Sequence, residues 1–121
     1  GDVVIRTVAR RISAAVGERG MAARIGGDEF IVLLREGLER DGVLLLCDTI
    51  VESVCAEVAV EGGQASVGAS IGVAWWPDDA MTTKSVIRSA DEALYRAKRD
   101  GRGRTHLAAR SPARASAAAG R

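Results

Sequence analysis

Residues 21–34 have the sequence MAARIGGDEFIVLL, in which two short apolar runs flank a Gly-Gly-Asp-Glu segment. The runs at 21–25 and 30–34 have the length and side chains typical of β-strands. Adjacent glycines accept the positive φ angles that tight turns between strands require. The stretch therefore predicts a β-hairpin, and the rest of the fold is organised around it.

Outside the hairpin, apolar periodicity predicts three helices and several short strands. In the first helix Val4, Val8 and Ile12 share one face, and Gly17 ends it. The other elements are a helix at about 41–56, a weak strand at 57–60, an alternating segment at 65–75, a helix at about 84–100 and a last strand at 103–107. This order predicts an α+β fold with helices packed on a largely antiparallel sheet.

Length and composition limit the chain to one domain and exclude some partners. The chain has 121 residues, 47% of them hydrophobic, and a net charge of +1. That charge gives no broad field for nucleic acid, so we expect no nucleic-acid partner. We also expect no membrane contact by this segment, because no apolar run reaches the roughly 20 residues of a membrane span. Residues 108–121 contain only Ala, Arg, Ser, Pro and Gly, and we expect a disordered tail there.

The two cysteines indicate a reducing compartment. Cys47 and Cys55 are eight residues apart in one predicted helix, about 12 Å along its axis, which is too far for a disulfide. No His or Cys partner stands at metal-ligand spacing. We therefore interpret both as small apolar side chains of a cytoplasmic protein.

Asp28 and Glu29 are the residues of the hairpin that a simple turn does not require. Two adjacent carboxylates repel one another, and the only nearby cation is Arg24. A divalent cation offsets that repulsion, since Mg²⁺ takes one or two carboxylates together with substrate phosphates. Gly26 and Gly27 let a nucleotide approach the backbone closely. The alternative is a solvent-exposed acidic hairpin that serves solubility, and the local residues leave both interpretations open.

Four segments in order resemble the GGDEF family. They are the Gly-Asp at residues 1–2, the Arg-Ile-Gly-Gly-Asp-Glu-Phe at 24–30, the Ser-Ile-Gly-Val-Ala at 70–74 and the Ala-Asp-Glu-Ala-Leu-Tyr-Arg-Ala-Lys-Arg-Asp-Gly-Arg at 90–102. The resemblance covers residues 1–107 and implies a nucleotide-cyclase-like fold with a ferredoxin-like βαββαβ core.

The resemblance implies a diguanylate cyclase, which condenses two GTP into cyclic di-GMP with release of two pyrophosphates. In that family two domains face one another as a homodimer, with one GTP on each. Asp28 is then the carboxylate on the catalytic Mg²⁺ or Mn²⁺, and Glu29 supports the same site. Gly26 and Gly27 line the approach to the ribose and the α-phosphate.

The resemblance also implies three further substrate contacts. Lys98 and Arg102 correspond to a triphosphate clamp, and Asp2 corresponds to the acid that binds the guanine edge. Each has a structural alternative. Lys98 and Arg102 suit the negative C-terminal end of the third helix, and Asp2 suits the N-terminus of the first.

The sequence departs from the family pattern in two places. The inhibitory Arg-x-x-Asp motif falls on Gly17 and Gly20, so we expect no feedback site for cyclic di-GMP there. The family's first strand and loop, with a second metal-binding Asp and a guanine-binding Asn, do not precede Gly1. We therefore expect a sheet without its central strand, and a chain that is marginally stable and inactive on GTP by itself. The parent is then an active cyclase or, alternatively, a degenerate GGDEF module that binds GTP or a protein without turnover.

Overall fold

The computed structural model describes residues 2–101, and of residues 105–107 the backbone only. The predicted tail at 108–121 lies outside these residues. The elements are α1 (Asp2–Val16), β1 (Gly20–Gly26), β2 (Glu29–Leu34), α2 (Arg40–Cys55), β3 (Val58–Val60), β4 (Gly63–Ala65), β5 (Ile71–Val73), α3 (Thr83–Arg99) and β6 (Thr105–Leu107). A short 3₁₀ helix, Gly17–Arg19, joins α1 to β1. The α+β fold class is confirmed.

The strands of the described residues form three two-stranded sheets. β1 pairs with β2 and β3 pairs with β4, both antiparallel, whereas β5 pairs with β6 in parallel. Two of the three strand pairings are therefore antiparallel, in line with the predicted largely antiparallel arrangement. The predicted alternation over 65–75 is only partly right, because regular strand is limited to β4 and β5 and residues 66–70 are irregular. The missing central strand stays a prediction.

The contacts divide the chain into two compact units, with the boundary between Gly68 and Ala69. In the first unit α1 packs against α2, β1 and β3. Its core is mainly aliphatic. The helices α1 and α2 each bury one face, on which apolar side chains recur every three or four residues. The buried residues of this unit are Val8, Ile12, Val16, Val43, Leu46, Cys47, Ile50, Val54 and Val58.

In the second unit α3 packs against β5 and β6. Ala93 and Ala97 are fully buried on α3, and the backbone of β5 approaches the helix closely at Ala90 and Leu94. The helix begins at a capping box: Ser85 N donates to Thr82 Oγ1 at 3.0 Å, and Thr82 N donates to Ser85 Oγ at 3.1 Å.

None of the helices in the described residues combines the length and the apolar character that crossing a bilayer requires.

Candidate functional site

The turn between β1 and β2 is shorter than the sequence indicates. Arg24 pairs with Phe30 and Gly26 pairs with Glu29, so only Gly27 and Asp28 form the loop. Ile25 is the extra residue of a β-bulge on β1, which bends the strand just before the turn. The hairpin thus carries Asp28 at its tip, and Glu29 as the first residue of the returning strand.

The two glycines of the turn are required by backbone conformation. Gly26 has φ 154° and Gly27 has φ 50°, in the region that L-residues rarely adopt. Apart from the two neighbouring residues in the chain, no residue has an atom within 4 Å of where a Cβ would stand on either glycine. The space around the turn is therefore open, as close approach by a nucleotide requires.

The Arg24 side chain holds the turn from β1. Its Nε donates a hydrogen bond of 2.7 Å to the carbonyl oxygen of Gly27. The guanidinium makes no ion pair with Asp28 or Glu29, so both carboxylates stay available. The sequence showed Arg24 as the nearby cation. It did not show the hydrogen bond, which requires the position of the Gly27 carbonyl in the folded turn.

The side chains of Asp28 and Glu29 are exposed, and neither has a hydrogen-bond or ion-pair partner among residues 2–101. Two adjacent carboxylates with free oxygens fit a hard divalent cation that completes its coordination with water and phosphate oxygens. No group of three or more His, Cys, Asp or Glu residues comes together in the described part of the chain. The donors therefore suit Mg²⁺ or Mn²⁺ shared with a substrate rather than an all-protein metal cage.

Comparison with known proteins decides the family. The family described as "Diguanylate cyclase, GGDEF domain" matches residues 1–104. This chain belongs to the GGDEF family. The GGDEF assignment made from the four sequence segments is confirmed.

Individual relatives agree with the assignment. An uncharacterized signaling protein of Caulobacter vibrioides is 41% identical over 104 residues, which are 85% of this chain and 13% of that protein. Diguanylate cyclase TpbB of Pseudomonas aeruginosa is 38% identical over 109 residues, 89% of this chain and 25% of that protein. The chain thus spans a quarter or less of these two relatives.

Solved structures show the same fold. The crystal structure of the GGDEF domain of TpbB from Pseudomonas aeruginosa superposes with a TM-score of 0.85 at 36% identity. The superposition covers 91% of this chain and 69% of the TpbB chain. An EAL/GGDEF domain protein from M. capsulatus superposes with a TM-score of 0.82 at 31% identity.

The remaining predicted site residues of this GGDEF domain lie away from the hairpin in sequence. Asp2 is the first residue of α1 and is exposed in its first turn, where a carboxylate is favourable to the helix dipole. Lys98 lies in the last turn of α3 and is half-buried. Arg102 lies outside the described residues, so the predicted pairing of Lys98 with Arg102 stays a prediction. Asp2, Asp28 and Glu29 belong to the first unit, and Lys98 belongs to the second.

Gly20 is one of the two positions on which the inhibitory motif falls, and it has a backbone role in the structure; the absence of a feedback site stays a prediction. A Cβ on Gly20 would lie 2.0 Å from the Leu33 carbonyl oxygen, because β1 and β2 are in close contact there. Gly17 has φ 57° and ends α1. The two positions that carry Arg and Asp in the family motif therefore serve backbone geometry in this chain.

Proposed function

We propose that the parent of this GGDEF domain is a diguanylate cyclase that condenses two GTP into cyclic di-GMP and two pyrophosphates. The observation that carries the proposal is the turn itself, in which Asp28 and Glu29 are exposed without a partner in residues 2–101. Membership of the family and relatives named as diguanylate cyclases support it.

The reaction forms two phosphodiester bonds. The 3′-hydroxyl oxygen of each GTP attacks the α-phosphorus of the other, the bond to the β-phosphate oxygen breaks, and pyrophosphate leaves. The hydroxyl proton passes to solvent. Because each nucleotide is both nucleophile and electrophile, two domains must face one another, so the partner is a second copy of the domain.

The residues have distinct roles in this proposal. Asp28 holds the divalent cation, with Glu29 beside it. The cation, when bound, neutralises phosphate charge and makes the 3′-hydroxyl more acidic. The open backbone at Gly26 and Gly27 admits the ribose and the α-phosphate.

Two further contacts extend the proposed site. Lys98 and Arg102 bind triphosphate oxygens, as an ammonium and a guanidinium do. Asp2 accepts hydrogen bonds from the N–H groups of the guanine edge.

The test uses the parent protein with GTP and Mg²⁺, followed by nucleotide chromatography. Asp28→Asn keeps the size of the side chain and removes its charge, and we expect the rate to fall about 100-fold or more. Asp48→Asn is the matched control, since Asp48 is an exposed acid on α2, and we expect an unchanged rate.

Two results would contradict the proposal. Full activity in Asp28→Asn would remove the role given to that carboxylate. Wild-type parent that binds GTP without turnover would favour the degenerate module instead.

A further inference from the structure

The hydrogen bond from Arg24 to Gly27 acts on the peptide that carries Asp28. The carbonyl of Gly27 and the amide of Asp28 belong to one planar peptide group. The 2.7 Å bond from Arg24 Nε to the Gly27 oxygen therefore restricts the rotation of that whole plane. The direction in which the Asp28 side chain leaves the backbone depends on the orientation of this plane.

The turn has few other constraints. Gly26 and Gly27 carry no side chains, and no residue beyond their chain neighbours lies within 4 Å of the positions where their Cβ atoms would stand. Adjacent glycines lose more conformational freedom on ordering than any other pair. Within residues 2–101, Arg24 is the residue whose side chain hydrogen-bonds to the segment 26–29. Without it, the orientation of the Gly27–Asp28 peptide is set by the backbone alone.

Arg24 holds the turn without neutralising it. Its Nε is occupied by a neutral carbonyl, and it forms no ion pair with Asp28 or Glu29. A direct ion pair would compete with a cation for the same carboxylate oxygens. The β-bulge at Ile25 shifts the pairing between Arg24 and Gly26, and the Arg24 side chain reaches the loop carbonyl in that arrangement.

We propose that Arg24 is a positioning residue, whose Nε–H···O bond to Gly27 holds the turn so that Asp28 presents its carboxylate to a divalent cation. The inference rests on the proposed function to the extent that it places the cation at Asp28. It assigns Arg24 no contact with substrate. Groups that orient metal ligands in this way typically change metal affinity 10- to 100-fold when they are removed.

The experiment titrates Mn²⁺ into the ¹⁵N,¹³C-labelled 121-residue chain and follows paramagnetic broadening of the Asp28 and Glu29 amide signals. Arg24→Lys keeps the charge but lacks the planar Nε donor, and Arg24→Met removes both. Arg88→Lys is the matched control, because Arg88 is an exposed arginine on α3 with no hydrogen bond to the turn.

We expect the Mn²⁺ concentration for half-broadening to rise about 10-fold in both Arg24 variants and to stay unchanged in Arg88→Lys. The ¹³C′ shift of Gly27 should move in the Arg24 variants, since its carbonyl loses a donor. A purely structural role would lower the thermal midpoint without changing the Mn²⁺ titration of the folded chain.

Three results would overturn the proposal. The first is an unchanged Mn²⁺ titration in both Arg24 variants. The second is a wild-type Mn²⁺ titration in Arg24→Lys, which would show that the positive charge suffices. The third is the absence of Mn²⁺ broadening of the Asp28 and Glu29 signals in the wild-type chain. Because the titration requires neither GTP nor turnover, its outcome is separate from that of the cyclase test. Broadening that depends on Arg24 in a protein whose parent makes no cyclic di-GMP would leave the positioning role intact and remove the proposed function.

Discussion

Gly72, at the centre of β5, is the position where one added methyl group should be most damaging. A Cβ there would lie 2.1 Å from the carbonyl oxygen of Ala90, 2.3 Å from the amide nitrogen of Leu94 and 2.8 Å from its Cα. All three are backbone atoms of α3, so no side chain can rotate away. The strand lies directly on the helix backbone, and only glycine fits between them.

The cost of Gly72→Ala follows from these distances. Ordinary contacts of a Cβ begin near 3.4 Å, so the strand and the helix must separate by about 1.3 Å, the difference between 3.4 and 2.1 Å. A gap of that size also weakens the dispersion contacts between β5 and α3, which pack against one another. We expect a loss of about 3 kcal/mol in the free energy of unfolding. For a domain of this size that lowers the thermal midpoint by about 12–24 °C.

Thermal unfolding followed by tryptophan fluorescence measures this effect, because both tryptophans, Trp75 and Trp76, lie in the same unit as Gly72. Gly68→Ala is the matched control. It makes the same substitution where nothing lies within 4 Å of the new Cβ and where φ is not in the left-handed region. A Gly72→Ala midpoint within about 4 °C of the wild type would refute the close-contact argument.

Three further predictions concern the first unit. Gly20→Ala should lower the free energy of unfolding by about 2 kcal/mol, because its Cβ would meet the Leu33 carbonyl oxygen at 2.0 Å. Urea unfolding followed by far-UV circular dichroism measures this loss. An unchanged urea midpoint would contradict the prediction. Burial, with a smaller contribution from the Asp48 carboxylate, raises the pKa of the Cys47 thiol to about 11. At pH 8 iodoacetamide should therefore modify the half-buried Cys55 well before Cys47, as peptide mass spectrometry would show. Folding raises this pKa, so the folded state holds the thiol proton more tightly than the unfolded state does. The contribution of Cys47 to the free energy of unfolding is therefore complete below about pH 9 and is lost as the pH rises towards 11.

Much of the local structure follows from the sequence. The helices differ from their predicted ends by one or two residues, because each has a clear apolar period. Gly17 follows α1 and a capping box begins α3, whereas α2 has no side-chain cap at its start. The hairpin follows from the Gly-Gly pair between two strand-like runs. The GGDEF family follows from four short segments in a fixed order, which the match over residues 1–104 confirms.

Prediction was weakest where short strands depend on their neighbours. The alternation over 65–75 suggests one strand, yet residues 66–70 are irregular. The strand Ile71–Val73 is regular and pairs in parallel with Thr105–Leu107. Strand propensity mainly reflects packing against neighbouring strands, which a single segment of sequence does not contain. The roles of Asp2, Lys98 and Arg102 in binding substrate remain predictions.

The sequence by itself determined the family, the element types and the two carboxylates of the turn, because each depends on residues close together in the chain. Only the tertiary structure decided why Gly72 is glycine and which group Arg24 hydrogen-bonds. The first depends on the backbone of α3, 18 to 22 residues further on. The second depends on the folded turn, in which the Arg24 side chain reaches a carbonyl three residues away. Both are consequences of backbone position in space, which the periodicity of the sequence does not specify.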